Sequence, residues 1–489
     1  MSVPHPGATC PNISTIGYYM SMGRSHAVLM ASLMMCCLTS FASATRPNVV
    51  FILADDLGYG DLGCYGHPYA KTPNLDRLAG DGTRFMQFYA TGVTCCPART
   101  GLMTGKFPAT FARYPASFGF GDRVTVTELL KASGYATGHF GKWHIGPIAT
   151  AGTYGIDAVG AGDHSQGGKR RLAAGCRDTP IYDQAIRFVE DNRDRPFYVN
   201  VWDHIPHHPV NPSQALLDAF RPLDVDEARL SASAREKFAN CRARGGDPGG
   251  HLRAWLAEIH AMDAEVGRLL RRIDELGLRD RTLIVFSSDQ GPAPLAPPEP
   301  MASDAKKLQK LARRERKEAR TTDGGDAEDL RLNAMGCVGP LRGGKHTQLE
   351  GGVRVPFIVR WPGRVPAGRV DDRSVLSGAD WLPTLCALAG VTINAADFDG
   401  EDVSAAWLGE APHARAKPLF WKTSSPNSDP SMRSEAWKFH AASRRRGEAA
   451  LYDLGTDPGE ASNLASRQPD VARSEERRVG KECRTRWSP

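Results

Sequence analysis

Two hydrophobic rhythms alternate along the chain: short runs of adjacent apolar, β-branched residues, and longer stretches with apolar positions every three or four residues. The first suits strands buried on both faces of a sheet and the second suits amphipathic helices, so the pattern predicts an α/β protein. Asn48–Ala54 (NVVFILA) is such a strand and stops at Asp55-Asp56. Thr282–Phe286 is another and stops at Ser287-Ser288-Asp289-Gln290-Gly291. Leu252–Leu276 carries the helical rhythm between them. Further strands are expected at Phe197–Trp202 and Phe357–Arg360, with a helix over Thr125–Ser133 and the Gly138–Phe140 segment completing βα units. In open α/β sheets the carboxyl ends of strands form the site, so the two acidic clusters are expected to meet.

Beyond Pro366 the elements shorten: a helical pattern at Trp381–Leu388, strands at Leu419–Trp421 and Leu451–Leu454, and an Asp457-Pro458-Gly459 turn. This predicts a catalytic domain over residues 45–366 and a small α+β domain over 367–473. From Arg473 the sequence RSEERRVGKECRTRWSP loses apolar periodicity, and residues 474–489 are set outside the fold as a read-through extension or a solvated tail. At the other end, Arg24 and His26 precede an apolar run, Ala27–Phe41, followed by Ala42-Ser43-Ala44. That is the layout of an export signal over residues 1–44, with Met20 or Met22 as possible later starts. The run is about 15 residues long, short of a membrane span. A periplasmic or extracellular location is expected.

Composition changes this picture little. The 489 residues are 41% hydrophobic, enough for a large core, and the net charge of +6 is concentrated in the two ends and one internal run. It gives no support for nucleic-acid binding. That run, Ala305–Arg320 (AKKLQKLARRERKEAR), reads either as a solvated surface helix docked through Leu308 and Leu311 or as a binder of polyanions. Of eleven cysteines, Cys10, Cys36 and Cys37 leave with the signal and Cys483 lies in the tail. Seven remain without C-x-x-C or zinc spacing, and an odd number in an exported protein invites a chemical explanation.

The densest chemical signal is Cys95-Cys96-Pro97-Ala98-Arg99, followed by Leu102, Thr104, Gly105 and Lys106. It resembles the signature of the type I sulfatases, C-x-P-S/A-R with x-x-L-x-T-G-R, with Lys106 in place of the usual arginine. The resemblance implies that a maturase oxidises Cys95 to formylglycine, whose hydrate offers one hydroxyl to attack sulfur and a second to expel sulfate. It also implies an alkaline-phosphatase-like mixed sheet flanked by helices, with a smaller C-terminal α+β domain. A Ca²⁺ ion would be held by Asp55, Asp56, Asp289, Gln290 and the residue at 95; Gln290 is one methylene longer than the family's asparagine. Gly141-Lys142-Trp143-His144-Ile145-Gly146 matches the family's G-K-W-H-x-G segment, giving Lys142 to the sulfate oxygens and His144 to the second hydroxyl's proton. On an extended stretch these two side chains point the same way. His204-Ile205-Pro206-His207-His208-Pro209 resembles P-H-x-P and puts His207 in the general-acid position. Leu341-Arg342-Gly343-Gly344-Lys345 and Glu350–Pro356 match the second long signature, with Lys345 bridging sulfate and the leaving oxygen. Asp289 would double as the base assisting attack.

The function these residues imply is hydrolysis of sulfate esters, arylsulfatase-like, on sulfated carbohydrates. Two rivals stay open: a phosphonate monoester or phosphodiester hydrolase with the same nucleophile, and a non-catalytic binder of sulfated glycans.

Overall fold

The computed structural model describes residues 46–111, 119–147, 149–160, 175–221, 223–295, 332–423, 429–442 and 447–487. Residues 1–44, expected to be an export signal, and the basic run 305–320 lie outside the described residues. Nine strands form one sheet: Asn48–Ala54 (β1), Thr83–Tyr89 (β2), Ala136–Gly141 (β3), Ala158–Gly160 (β4), Phe197–Trp202 (β5), Thr282–Ser288 (β6), Arg354–Arg360 (β7), Arg369–Asp371 (β8) and Leu376–Ser377 (β9). Their order is β4-β3-β5-β1-β6-β7-β2-β8, with β9 also paired to β2. Every pairing is parallel except those of β7 with β6 and β2, so β7 alone runs against its neighbours.

Strands β1, β5, β6 and β7 are buried at every position, which requires cover on both faces. Helices Pro73–Gly80 (α1), Cys95–Thr104 (α2), Val126–Ala132 (α3), Thr179–Asp191 (α4), Pro248–Glu275 (α5) and Trp381–Ala389 (α6) supply it. Alternate residues of β1 go to opposite sides: Val50 and Ile52 pack with α1, α4 and α5, whereas Val49, Phe51 and Leu53 pack with α2, α3 and α6. Thr125 caps α3 through a capping box with Glu128, which is why that helix starts where the sequence pattern does.

Register decides where the site lies. Ala54 pairs with Ser288, Leu53 with Trp202, and Trp202 with Gly141, so β1, β6, β5 and β3 end level with one another. The residues that follow, Asp55, Asp289, Asp203 and Lys142, therefore leave the sheet along one edge.

A second, antiparallel sheet contains Leu419–Trp421 (β10), Ser431–Ser434 (β11), Trp437–His440 (β12) and Ala450–Asp453 (β13), in that order. Leu419, Trp421, Met432 and Phe439 pack with Tyr89, Val93 and Val353, beside the approach to Cys95. Three features differ from the sequence expectation. The large sheet does not stop at Pro366: β8 and β9 belong to it, and α6 covers one face, because chain that is polar and loop-like in pattern still returns to pair with β2. The basic tail is helical over Pro469–Trp487 (α7), where Val479 is buried in the small sheet's core and Arg478 donates to Ser434 Oγ at 2.7 Å. Finally, Cys64, Cys176, Cys337 and Cys386 are free thiols alongside Cys95, so an odd cysteine count does not single Cys95 out. Among the described residues, no helix is long and apolar enough to cross a membrane.

Candidate active site

Asp55 and Asp56 follow β1 directly, and in an extended strand neighbouring side chains would diverge. Asp56 instead adopts left-handed backbone (φ 68°), with its N–H donating to Asp289 Oδ1 at 3.1 Å. That turn aims both carboxylates at one point, a local strain of the kind kept at functional sites. Asp289 and Gln290 arrive from the end of β6, level with β1. Cys95 is the first residue of α2, where free backbone N–H groups and the positive end of the helix dipole favour an anion.

Around Cys95 Sγ stand Asp55 Oδ1 at 3.3 Å, Lys142 Nζ, Lys345 Nζ and Gln290 Nε2 each at 3.5 Å, and Asp56 Oδ1 at 3.8 Å. Lys142 bonds Asp55 Oδ2; Lys345 donates to both oxygens of Asp56, at 2.6 and 2.8 Å. Arg99, fully buried one turn into α2, donates to Asp289 Oδ2 at 3.0 Å through Nε and pairs with it at 2.8 Å through Nη2. Its Nη1 reaches the Lys142 carbonyl at 3.2 Å. His207 Nε2 lies 3.8 Å from Asp56 Oδ2, and its Nδ1 is 2.7 Å from the His208 carbonyl. Six distant segments thus meet at one sheet edge.

Three buried carboxylates survive here because three cations face them. Burial alone would raise Asp55, but Lys142, His207, Arg99 and Lys345 together hold its carboxyl well below the usual range. Asp56 is lowered in the same way, chiefly by Lys345 against its burial. Asp289 goes the other way: burial outweighs Arg99 and pushes it to about 6. Lys345 stays firmly charged, its burial overcome by Asp56. Burial pushes the Cys95 thiol up and pulls His207 down to about 3, leaving that ring neutral with its Nδ1 proton on the His208 carbonyl.

The group is also a possible metal site. Ligand atoms of Asp55, Asp56, Cys95 and Asp289 lie within 4.8 Å of one another. Gln290 Oε1 is buried without a hydrogen-bond partner while Nε2 of the same amide faces Asp56 Oδ1 and Cys95 Sγ; turning the amide over would present the oxygen to a cation. Carboxylates and an amide oxygen are hard donors, which fit a cation of the calcium or magnesium type rather than zinc.

One expectation about orientation fails. The extended run does not continue to His144, whose φ is 54°, so Lys142 is buried in the cluster while His144 is exposed. Gly141 makes Lys142's placement possible: at φ 105°, a Cβ there would sit 2.0 Å from the Trp202 carbonyl, which accepts the Lys142 N–H at 2.9 Å. Gly141→Ala is therefore expected to cost at least about 2 kcal/mol in denaturant unfolding, and to lower activity by displacing Lys142.

Sequence reasoning missed the supports behind His207. Arg177, Asp178 and Glu258 hold its loop, and only Glu258 gave a signal: a carboxylate on the apolar stripe of α5, between Trp255 and Met262.

Comparison with known proteins agrees with this geometry. The family model "Sulfatase" matches residues 47–391, and "N-sulphoglucosamine sulphohydrolase, C-terminal" matches residues 344–478. Arylsulfatase A of Homo sapiens is 31% identical over 505 aligned residues, covering 88% of this chain and 86% of that protein. N-acetylgalactosamine-6-O-sulfatase of Bacteroides thetaiotaomicron is 26% identical over 506, covering 88% and 92%. The crystal structure of Ps i-CgsB shares the fold, with a TM-score of 0.69 at 24% identity over 89% of this chain and 92% of that one. With the family model spanning most of the chain, and with the chain's own acidic clusters, nucleophile helix and lysines converging inside the matched region, this protein belongs to the sulfatase family.

Proposed function

We propose that the protein hydrolyses sulfate esters of carbohydrates, with Cys95 oxidised to formylglycine and one Ca²⁺ bound by Asp55, Asp56, Asp289 and Gln290. One observation carries the reading: Cys95 Sγ, at the start of α2, has two carboxylates and two ammonium groups within 3.8 Å. As formylglycine, position 95 supplies a hydrated aldehyde, one hydroxyl to attack sulfur and one to release sulfate by re-forming the carbonyl. A bound Ca²⁺ offsets negative charge on the ester oxygens.

The chain's own residues divide the remaining work. Lys142 and Lys345, both 3.5 Å from Cys95 Sγ, neutralise the developing charge on sulfate and on the leaving oxygen. Asp289, whose carboxylate lies within 4.8 Å of Cys95 Sγ, takes the proton from the attacking hydroxyl. Arg99 holds Asp289 at that position. The family resemblance gives the second hydroxyl's proton to His144, whose side chain is exposed here while Lys142 is buried. His207 protonates the leaving alcohol, which needs a proton on Nε2; the negative charge of a bound sulfate ester works in that direction. Carbohydrate as substrate is supported by the relative named for N-acetylgalactosamine 6-O-sulfate. Export through residues 1–44 and a formylglycine-generating maturase complete the reading.

Turnover of an aryl sulfate beside an aryl phosphodiester tests it. Sulfate release is expected to dominate, to fall at least about 100-fold on chelation, and to return with Ca²⁺; thermal stability should fall with the metal, since ligand bound only to the native state stabilises it. A strong preference for the phosphodiester overturns the assignment. So does matured, metal-loaded protein that binds sulfated glycan and releases no sulfate.

A further inference from the structure

The loop carrying His207 is held from both sides by two consecutive residues outside every motif that pointed to the site. Asp178 takes the loop's donors: the N–H groups of His204 and Ile205 reach its Oδ2 at 2.8 and 3.0 Å, and His204 Nδ1 lies 3.2 Å from Oδ1. Arg177 takes the acceptors. Its Nη2 donates to the His204 and His207 carbonyls at 3.0 and 2.6 Å, and its Nη1 to the Pro209 carbonyl at 2.9 Å. The guanidinium is itself anchored, with Nε 3.2 Å from Oε2 of Glu258 on α5, a carboxylate whose Oε1 accepts the Asn211 N–H at 3.3 Å. Glu258 is buried and Arg177 half-buried.

The geometry matters because of where it acts. His207's ring is oriented by its Nδ1 against the His208 carbonyl. Arg177 pins the carbonyls of His207 and Pro209, one on each side of that acceptor. A guanidinium fork can hold three carbonyls in fixed directions, whereas an ammonium is a single point that cannot span them. The loop also joins the metal-site strand, since the Asp55 N–H donates to the Ile205 carbonyl at 3.0 Å.

We infer that Arg177, with Asp178 and Glu258, is a positioning residue for the leaving-group acid: it aims His207 Nε2 at the departing oxygen without touching substrate. This rests on the sulfatase reading and on His207 as the acid. The consequence is a dependence on the leaving group. A strongly basic leaving group needs its proton in the transition state; 4-nitrophenolate leaves without one.

The test compares wild type, Arg177→Lys and Glu258→Gln on 4-nitrophenyl sulfate and on unsubstituted phenyl sulfate, with thermal unfolding of each protein. Arg177→Lys is expected to lower kcat/KM at least about tenfold for phenyl sulfate and less than about threefold for the nitrophenyl ester. Glu258→Gln, which leaves Arg177 in place and loosens its anchor, should shift the same ratio in the same direction by a smaller factor. A merely structural role would move both substrates together. Parallel losses in a folded variant, or unchanged kinetics in both variants, overturn the inference. Wild type that is inactive on both esters overturns the sulfatase reading instead, so the two failures are distinguishable.

Discussion

Cys95→Ala is expected to remove sulfate release by a factor of about 10⁴ or more while the protein still folds. The side chain lost is small, and the Asp55 carboxylate that it faces keeps Lys142 and Arg99 as partners. The stability change should therefore stay within about 1 kcal/mol. Lys142, Lys345 and Arg99 also remain, so binding of an anionic substrate analogue should persist even as turnover disappears. Mass spectrometry of the peptide spanning Cys95 in active protein completes the test, with an aldehyde expected in place of the thiol. An unmodified thiol in fully active protein, or near-normal turnover by the alanine variant, would rule out the nucleophile assigned here.

The largest effect on stability is expected from Lys438→Met, in the small sheet. Lys438 is fully buried on β12, 2.7 Å from Glu350 Oε1 and 3.5 Å from Glu460 Oε1. Glu350 also accepts from Tyr89 Oη at 2.7 Å, and its own N–H donates to Glu460 Oε2 at 2.7 Å. Removing the ammonium takes the nearest cation from buried Glu350 and leaves Glu460 with His440 and Glu350 with Arg354, a loss of about 3 kcal/mol in equilibrium denaturation. The segment that follows Lys345 runs directly into Glu350, so activity should fall along with stability. The same network has an acid signature. Burial would raise Glu350, but Lys438, then Arg354 and Arg433, hold it down at about 2 against an ordinary 4.5. Its folded pKa being depressed, the stability it contributes is present above about 4.5 and is lost as pH falls from there towards about 2. Stability of the wild type should fall through that window, and the Glu350→Gln variant should be weaker at neutral pH and flatter below it.

Local patterns in the chain carried much of the architecture. The apolar runs at Asn48–Ala54, Phe197–Trp202 and Leu419–Trp421 coincide with β1, β5 and β10, and Thr282–Phe286 is extended by two residues in β6. Strands buried on both faces must be apolar throughout, so their composition marks them wherever they pair. Strand β2 escaped notice because its exposure is mixed along its length, and β8 and β9 because three- and two-residue strands leave no period to read.

The sequence alone also determined the identities of the chemical groups: a cysteine two residues before a proline in the Cys95–Arg99 motif, acidic pairs at strand ends, and lysines in glycine-rich loops. Residue type and short-range spacing are local properties, and chemistry is carried by type. What only the tertiary structure decided is direction and distance. The left-handed turn at Asp56 makes neighbouring carboxylates converge, and the one at His144 breaks the alternation that an extended segment would have kept. The level ends of β1, β3, β5 and β6 bring groups hundreds of residues apart to one edge. The hold of Arg177 on three carbonyls left no trace in the chain, because backbone acceptors are the same at every residue and only the fold selects which of them meet a guanidinium.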